Sequence, residues 1–236
     1  MRKKKEYWFK DSIEIEEYPD GRYGAPGMKR SKKKKVTPEQ IKKINRMNRA
    51  KKTRRMIKNN FDEGDLYITL TFAKDKRPKT LTEAKKIWTK MQRKIRSEYK
   101  KQGKSFKWII LMERGAKGAI HFHLIINNVL ENEIKMIQRL WNYGGLYFRL
   151  LYKEGGFEDL AEYMTKDPLT GEESYFSHSR NLPIPKPRIK KLKGKWKDPK
   201  PYKNYYIDKN SIFDGINPVT GLRYRSYTMI KIDRRI

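Results

Sequence analysis

The amino-acid sequence predicts an α+β fold, an antiparallel β-sheet with helices packed on one face, and three observations lead there. Between residues 61 and 170 the apolar residues alternate between a two-residue and a 3.6-residue period, in the order strand, helix, strand, strand, helix, strand, helix. The two consecutive strands are separated only by Gly115-Ala116-Lys117-Gly118, a connection long enough for a hairpin and too short for a crossover. Outside this stretch Lys, Arg and Pro dominate, so the core is expected at 61–170, flanked by a basic N-terminal arm and helix (1–60) and a basic, Pro-rich C-terminal extension (171–236).

Each element has its own signal. Thr37-Pro38-Glu39-Gln40 supplies an N-cap, a Pro at the first helical position and a capping-box Gln, opening a basic helix to about Lys58. Leu66 to Phe72 (LYITLTF) is a β-rich run behind Gly64-Asp65. Thr82 caps a helix to about Lys100, with Ile87, Trp88, Met91, Ile95 and Tyr99 on one face. Phe106 to Arg114 and Ala119 to Asn127 form the hairpin; Glu131 to Asn142 is helical, Leu146 to Tyr152 a strand and Gly156 to Lys166 a short helix. This order is of the ferredoxin-like kind. Beyond Asp167-Pro168 the prolines at 183, 185, 187, 199 and 201 block long helices and central strands. A last hairpin turns at Asn217-Pro218-Val219-Thr220-Gly221.

Composition narrows the function. The 236 residues carry a formal charge of +31, with +13 over residues 1–55 and +10 over 171–236, which points to a polyanion partner. The runs Lys32, Lys33, Lys34, Lys35 and Arg54, Arg55 are candidate phosphate contacts, and the interleaved aromatics of both ends suit stacking on unpaired bases. The absence of cysteine excludes disulfides, thiolate metal sites, Cys nucleophiles and Cys-containing zinc deaminases. No apolar run approaches the roughly 20 residues of a membrane span, and the opening MRKKKEYWFK is no signal peptide. A cytoplasmic protein is expected, with no membrane partner. No GxxxxGK[ST] is present, so unwinding would fall to a separate helicase.

The chemistry concentrates in three places. His121 and His123 are separated by one residue within a strand, so both imidazoles share a face while Ile120, Phe122, Leu124 and Ile126 take the other. If the four-residue turn sets the register so that paired numbers sum to 234, Glu113 lies opposite His121 and Leu111 opposite His123. A carboxylate and two imidazoles on one face suit a metal ion. About 40 residues on, Tyr163 and Lys166 lie three apart on a short helix. A cupin reading fails because the Glu expected at 127 or 128 is Asn at both positions.

In this order the sequence resembles the HUH endonucleases, specifically the single-tyrosine rolling-circle replication initiators of bacterial plasmids and phages. Three motifs of that family match Tyr67 to Phe72, Ile120 to Ile126 with Glu113 upstream, and Tyr163-Met164-Thr165-Lys166; Ser179-Arg180-Asn181-Leu182-Pro183 resembles a further stretch of bacterial members, which marks Arg180 and Asn181 as DNA-binding candidates. The resemblance implies an HUH nuclease fold and Mg2+ or Mn2+ held by Glu113, His121 and His123. It implies that Tyr163, assisted by Lys166, nicks one strand of origin DNA at a single-stranded or hairpin site. The products would be a 5′-phosphotyrosine and a free 3′-OH, later rejoined, with a host helicase and polymerase as partners. A non-catalytic RNA- or DNA-binding module of RRM-like topology and a single-tyrosine transposase remain as alternatives.

Overall fold

A computed structural model of the chain describes residues 1–20, 37–115, 118–130, 132–152, 157–166, 174–217 and 220–232. In chain order its elements are β1 (Arg2–Trp8), β2 (Ser12–Pro19), α1 (Pro38–Asn60), β3 (Leu66–Leu70), α2 (Leu81–Lys101), β4 (Trp108–Arg114) and β5 (Ile120–Ile126). There follow α3 (Glu133–Leu140), β6 (Leu146–Leu150), α4 (Glu158–Met164), β7 (Ser174–His178), β8 (Arg188–Leu192), β9 (Tyr205–Ile216) and β10 (Arg223–Lys231). The chain divides into two units, residues 45–184 and residues 1–44 with 185–236, each built around a five-stranded antiparallel sheet.

The α+β class is as the sequence predicts. In unit 45–184 the strand order is β6-β3-β5-β4-β7. Its first four strands follow the ferredoxin-like arrangement, in which the hairpin strand β5 inserts between β3 and β4. The expected register holds: Glu113 pairs with His121 and Leu111 with His123. Gly115 N–H donates to Ala119 O at 2.8 Å and closes the hairpin.

The placement of helices on one face needs correction. One face packs Ile68, Ile110, Met112, Phe122 and Leu124 against Trp88, Met91, Ile95 and Tyr99 of α2 and Met136 and Ile137 of α3. The other face, which carries the histidines, also has a core: Tyr67, Ile109, Leu111 and Ile125 lie under Met56, Ile57 and Phe61 of α1 and Ala161 and Met164 of α4. The histidine face is therefore apolar over much of its length and polar only toward the β4–β5 turn. The end of β3 is fixed against the start of β6 by a close approach: a Cβ on Gly144 would lie 2.4 Å from Thr71 O and 2.6 Å from Ala73 N. Only glycine fits there.

The extensions also need correction. Residues 1–20 form strands rather than an arm, and β1 and β2 join the chain's last strands in a sheet of order β8-β1-β2-β10-β9. The last half of α1 and all of β7 belong to unit 45–184, so the boundaries at 60 and 171 fall inside structure. The hairpin about Asn217 is present, with longer strands than expected. Lys32 to Lys35 lie outside the described residues.

The terminal sheet has a small apolar core, Ile13, Ile15, Tyr227 and Met229, and a buried ionic layer beside it. Glu6 is fully buried; it accepts a hydrogen bond from the Tyr202 hydroxyl and meets Lys190 Nζ at 3.2 Å and Lys4 Nζ at 3.6 Å. Glu17 accepts from Arg225 Nη2 at 2.9 Å and from the Tyr227 hydroxyl at 3.1 Å, with Arg2 Nε at 3.4 Å. Burial works to raise the Glu6 carboxyl, but the bonds from Tyr202 and Lys190 and the charges of Lys4 and Lys190 outweigh it and hold it below the ordinary value. A carboxylate so lowered contributes fully above its unfolded pKa, about 4.3, and loses that contribution as the pH falls. Glu6→Gln should cost about 1–3 kcal/mol at neutral pH, and urea titrations from about pH 6 to pH 3 should show a smaller loss of midpoint for the variant than for the wild type. Parallel pH profiles would refute the role given to Glu6.

Candidate active site

Four of the predicted site residues converge at the polar end of the α4-covered face. His123 is buried and Glu113 nearly so, with side chains 10% and 17% exposed. His123 Nε2 lies 3.1 Å from Glu113 Oε1. The Tyr163 hydroxyl, reaching down from α4, lies 3.1 Å from the same carboxylate oxygen and 3.0 Å from His123 Nε2. Lys166 Nζ contacts Glu113 Oε2 at 2.7 Å and sits 4.2 Å from the Tyr163 ring centroid.

The far side of His123 has two partners for which the sequence reading gave no role. The Tyr67 hydroxyl is 2.9 Å and Thr69 Oγ1 3.4 Å from Nδ1. Both project from β3 in the row paired with β5, where Thr69 is directly opposite His123. The period-two spacing of Tyr67 and Thr69 was a visible signal, but nothing in the sequence said which strand would neighbour the histidines. Because an ionised carboxylate only accepts, a proton on His123 Nε2 is what joins it to Glu113; Nδ1 is then free to accept from Tyr67.

His121 stands apart from this cluster. It lies on the same face beside Glu113, with its ring against Gly115, where a Cβ would come within 3.2 Å of Nε2. Burial and the neighbouring His123 push its imidazole below the ordinary value, against the pull of Glu113. It is accordingly neutral near pH 7, the form that ligates metals.

The charges of the cluster follow from its contacts. Burial works to raise the Glu113 carboxyl, yet bonds from His123 and Lys166 together with their charges hold it at about 2. The Tyr163 phenol is driven well above its ordinary value by burial first, then by Tyr67 and by the carboxylate it bonds. In this arrangement Glu113 is an anion and Tyr163 keeps its proton. The donor chemistry of Glu113, His121 and His123 suits a divalent cation. Among the described residues, however, no group of three or more His, Cys, Asp or Glu side chains is drawn together as a metal cluster, because Glu113 and His123 are hydrogen-bonded to each other and to Tyr163.

Helix α4 is held over the sheet by α1. Arg49 Nη2 donates to Thr165 O at 2.9 Å and Arg54 Nη1 meets Glu158 at 2.9 Å. Arg54 and Arg55, expected as phosphate contacts, are therefore corrected: Arg54 anchors α4 and Arg55 is buried. Asn181 is likewise structural, donating to Ser105 Oγ at 2.8 Å and Phe106 O at 3.2 Å. Arg180 is exposed, beside Ser179, whose N–H donates to Trp108 O. That is the end of β4 opposite Glu113.

With this geometry in view, residues 65–168 match the family model of the replication-associated protein ORF2 group. The match runs from β3 through α4 and spans every residue of the cluster. Neither the curated proteins nor the solved structures contain a match to the chain.

Tyr67 and Thr69 act on the cluster through His123, so their removal should be felt in its order. Tyr67→Phe removes the 2.9 Å bond to Nδ1 and should cost about 1 kcal/mol, seen as a melting temperature lower by roughly 2–4 °C. Thr69→Val, losing the longer 3.4 Å contact, should cost less. Equal effects of the two substitutions would show that the Tyr67 bond does not fix the imidazole.

Proposed function

We propose that the chain is a replication initiator that nicks one strand of origin DNA by tyrosine transesterification and later rejoins it. The observation that carries this reading is the meeting of Tyr163, Glu113 and His123 within 3.1 Å, from three separate elements, inside the stretch similar to replication-associated proteins. A tyrosine over a carboxylate and an imidazole is a nucleophile beside groups that manage protons and charge.

In the proposed step the Tyr163 oxygen attacks a phosphodiester phosphorus. One oxygen–phosphorus bond forms, the bond to the 3′ oxygen breaks, and the strand is left as a 5′-phosphotyrosine and a 3′-OH. The phenol gives up a proton and the departing oxygen takes one, so none is consumed, and the ester bond is kept for rejoining. Glu113, His121 and His123 would hold Mg2+ or Mn2+, which when bound supplies Lewis-acid neutralisation of phosphate charge. Lys166, against both the Tyr163 ring and Glu113, favours the phenolate and balances the carboxylate. The excess of cations, +31 over the chain, supports binding of origin DNA in a single-stranded or hairpin form. Unwinding and synthesis would fall to a helicase and polymerase of the bacterial host, in whose cytoplasm the protein would act.

The test is incubation with single-stranded oligonucleotides tiling the neighbouring genome, with Mn2+, read as a protein–DNA adduct on a denaturing gel. The wild type should form an adduct mapping to Tyr163, and Tyr163→Phe should bind DNA with near wild-type affinity and form none. His121→Ala combined with His123→Ala should abolish the adduct and leave salt-sensitive binding largely intact. An adduct on Tyr143, Tyr147, Tyr152 or Tyr175 would overturn the assignment of the nucleophile. Undiminished cleavage in chelator-treated buffer would overturn the metal.

A further inference from the structure

A metal ion and a tyrosine act on the sugar–phosphate backbone, and neither holds a base in place. The face that carries them continues sideways to an open edge. β6 is the outermost strand and pairs only with β3. Tyr147 lies opposite Thr69, which lies opposite His123, and Arg149 lies opposite Tyr67. Residues in register across adjacent strands share a face, so Tyr147 and Arg149 sit in the same rows as the cluster. Two strand spacings, about 10 Å, separate Tyr147 from His123.

Tyr147 is 67% exposed and, among the described residues, no other ring stacks on it. Its position is constrained from beneath, since a Cβ on Gly145 would lie 3.3 Å from its ring and 2.9 Å from Thr71 Oγ1. The Arg149 guanidinium lies 4.6 Å from the Tyr67 ring centroid, which turns it toward the cluster rather than outward from the edge. An exposed aromatic face beside a cation is the combination that holds unpaired bases and their phosphates.

We propose that β6 is the platform over which the single strand reaches Tyr163, with a base stacked on Tyr147 and an adjoining phosphate paired to Arg149. The inference rests on the nicking reading for its substrate class, single-stranded DNA. Stacking uses the ring and not the hydroxyl, so it is tolerant of sequence, and the platform places the strand without choosing the site of cleavage.

The test uses the full chain in chelator, with a fluorescein-labelled oligothymidylate and a duplex of equal length, both read by anisotropy. Tyr147→Ala should weaken single-strand binding about ten-fold, with duplex affinity unchanged, and Tyr147→Phe should bind as the wild type does. Arg149→Gln should lower the slope of log K against log salt by about 0.7, the share of one phosphate on a single strand. Oligonucleotides carrying 5-iodouracil should photocross-link to Tyr147. Wild-type single-strand affinity in Tyr147→Ala, equal loss for the duplex, or cross-links confined to the terminal sheet would overturn the platform. Because these measurements need neither metal nor cleavage, they are independent of adduct formation. A chain that stacks DNA on Tyr147 but forms no adduct would overturn the nicking reading and keep the platform.

Discussion

The two-residue period of β5 is the constraint on which the site depends. β5 is the middle strand of its sheet, hydrogen-bonded to β3 along one edge and to β4 along the other, so its register sets that of both neighbours. Its even-numbered residues fill the core under α2 and α3, and its odd-numbered residues, His121, His123 and Ile125, face α1 and α4. A slip of one residue would put imidazoles into a closed apolar core and Phe122 among charges, a penalty large enough to keep one register populated. Glu113, Thr69 and Tyr67 come to His123 through that register, without any motif of their own.

Acidic side chains are scarce in this protein, 27 against 58 Lys and Arg, and several of them are buried among cations. Glu6 meets Lys4 and Lys190, Glu17 meets Arg2 and Arg225, and Glu113 meets Lys166. A buried carboxylate is destabilising unless paired and hydrogen-bonded, and each of these has a tyrosine hydroxyl as well: Tyr202, Tyr227 and Tyr163. The terminal sheet and the candidate active site thus use one device for different ends. In the sheet it joins strands distant in sequence, and in the site it lowers a carboxyl while raising a phenol.

Much of unit 45–184 was legible in the sequence, because its strands and helices alternate cleanly and the four-residue turn fixes the hairpin. The Glu113–His121 pairing and the nearness of Tyr163 and Lys166 to that carboxylate follow from the same patterns. The second core was not legible, since an apolar face beneath α1 is hidden by that helix's own composition: in a segment dense with Lys and Arg, Met56 and Ile57 did not stand out. The terminal sheet was missed for a related reason. β1 reads RKKKEYW, and its inward side chains Arg2, Lys4 and Glu6 are stabilised by ion pairs rather than by apolar burial, which hydrophobic periodicity cannot detect. β2 did carry a signal, the alternation of Ile13 and Ile15 with Glu14 and Glu16. The role of Arg54 was misread because a cation that anchors a helix and one that binds phosphate look the same in a sequence.

The order of strands in the terminal sheet has a consequence for the growing chain. β1 is flanked by β2 and β8, and β2 by β1 and β10, so the early hairpin acquires its outer neighbours only after the whole of unit 45–184 has been made. At roughly 5–20 residues per second the ribosome needs on the order of ten seconds or more for that interval, longer than a small domain takes to fold. Unit 45–184 is continuous in sequence and can be complete first, with Glu113, His123 and Tyr163 already assembled. Through that interval Glu6 and Glu17 remain in water, and their burial waits for Lys190, Tyr202 and Arg225 to emerge.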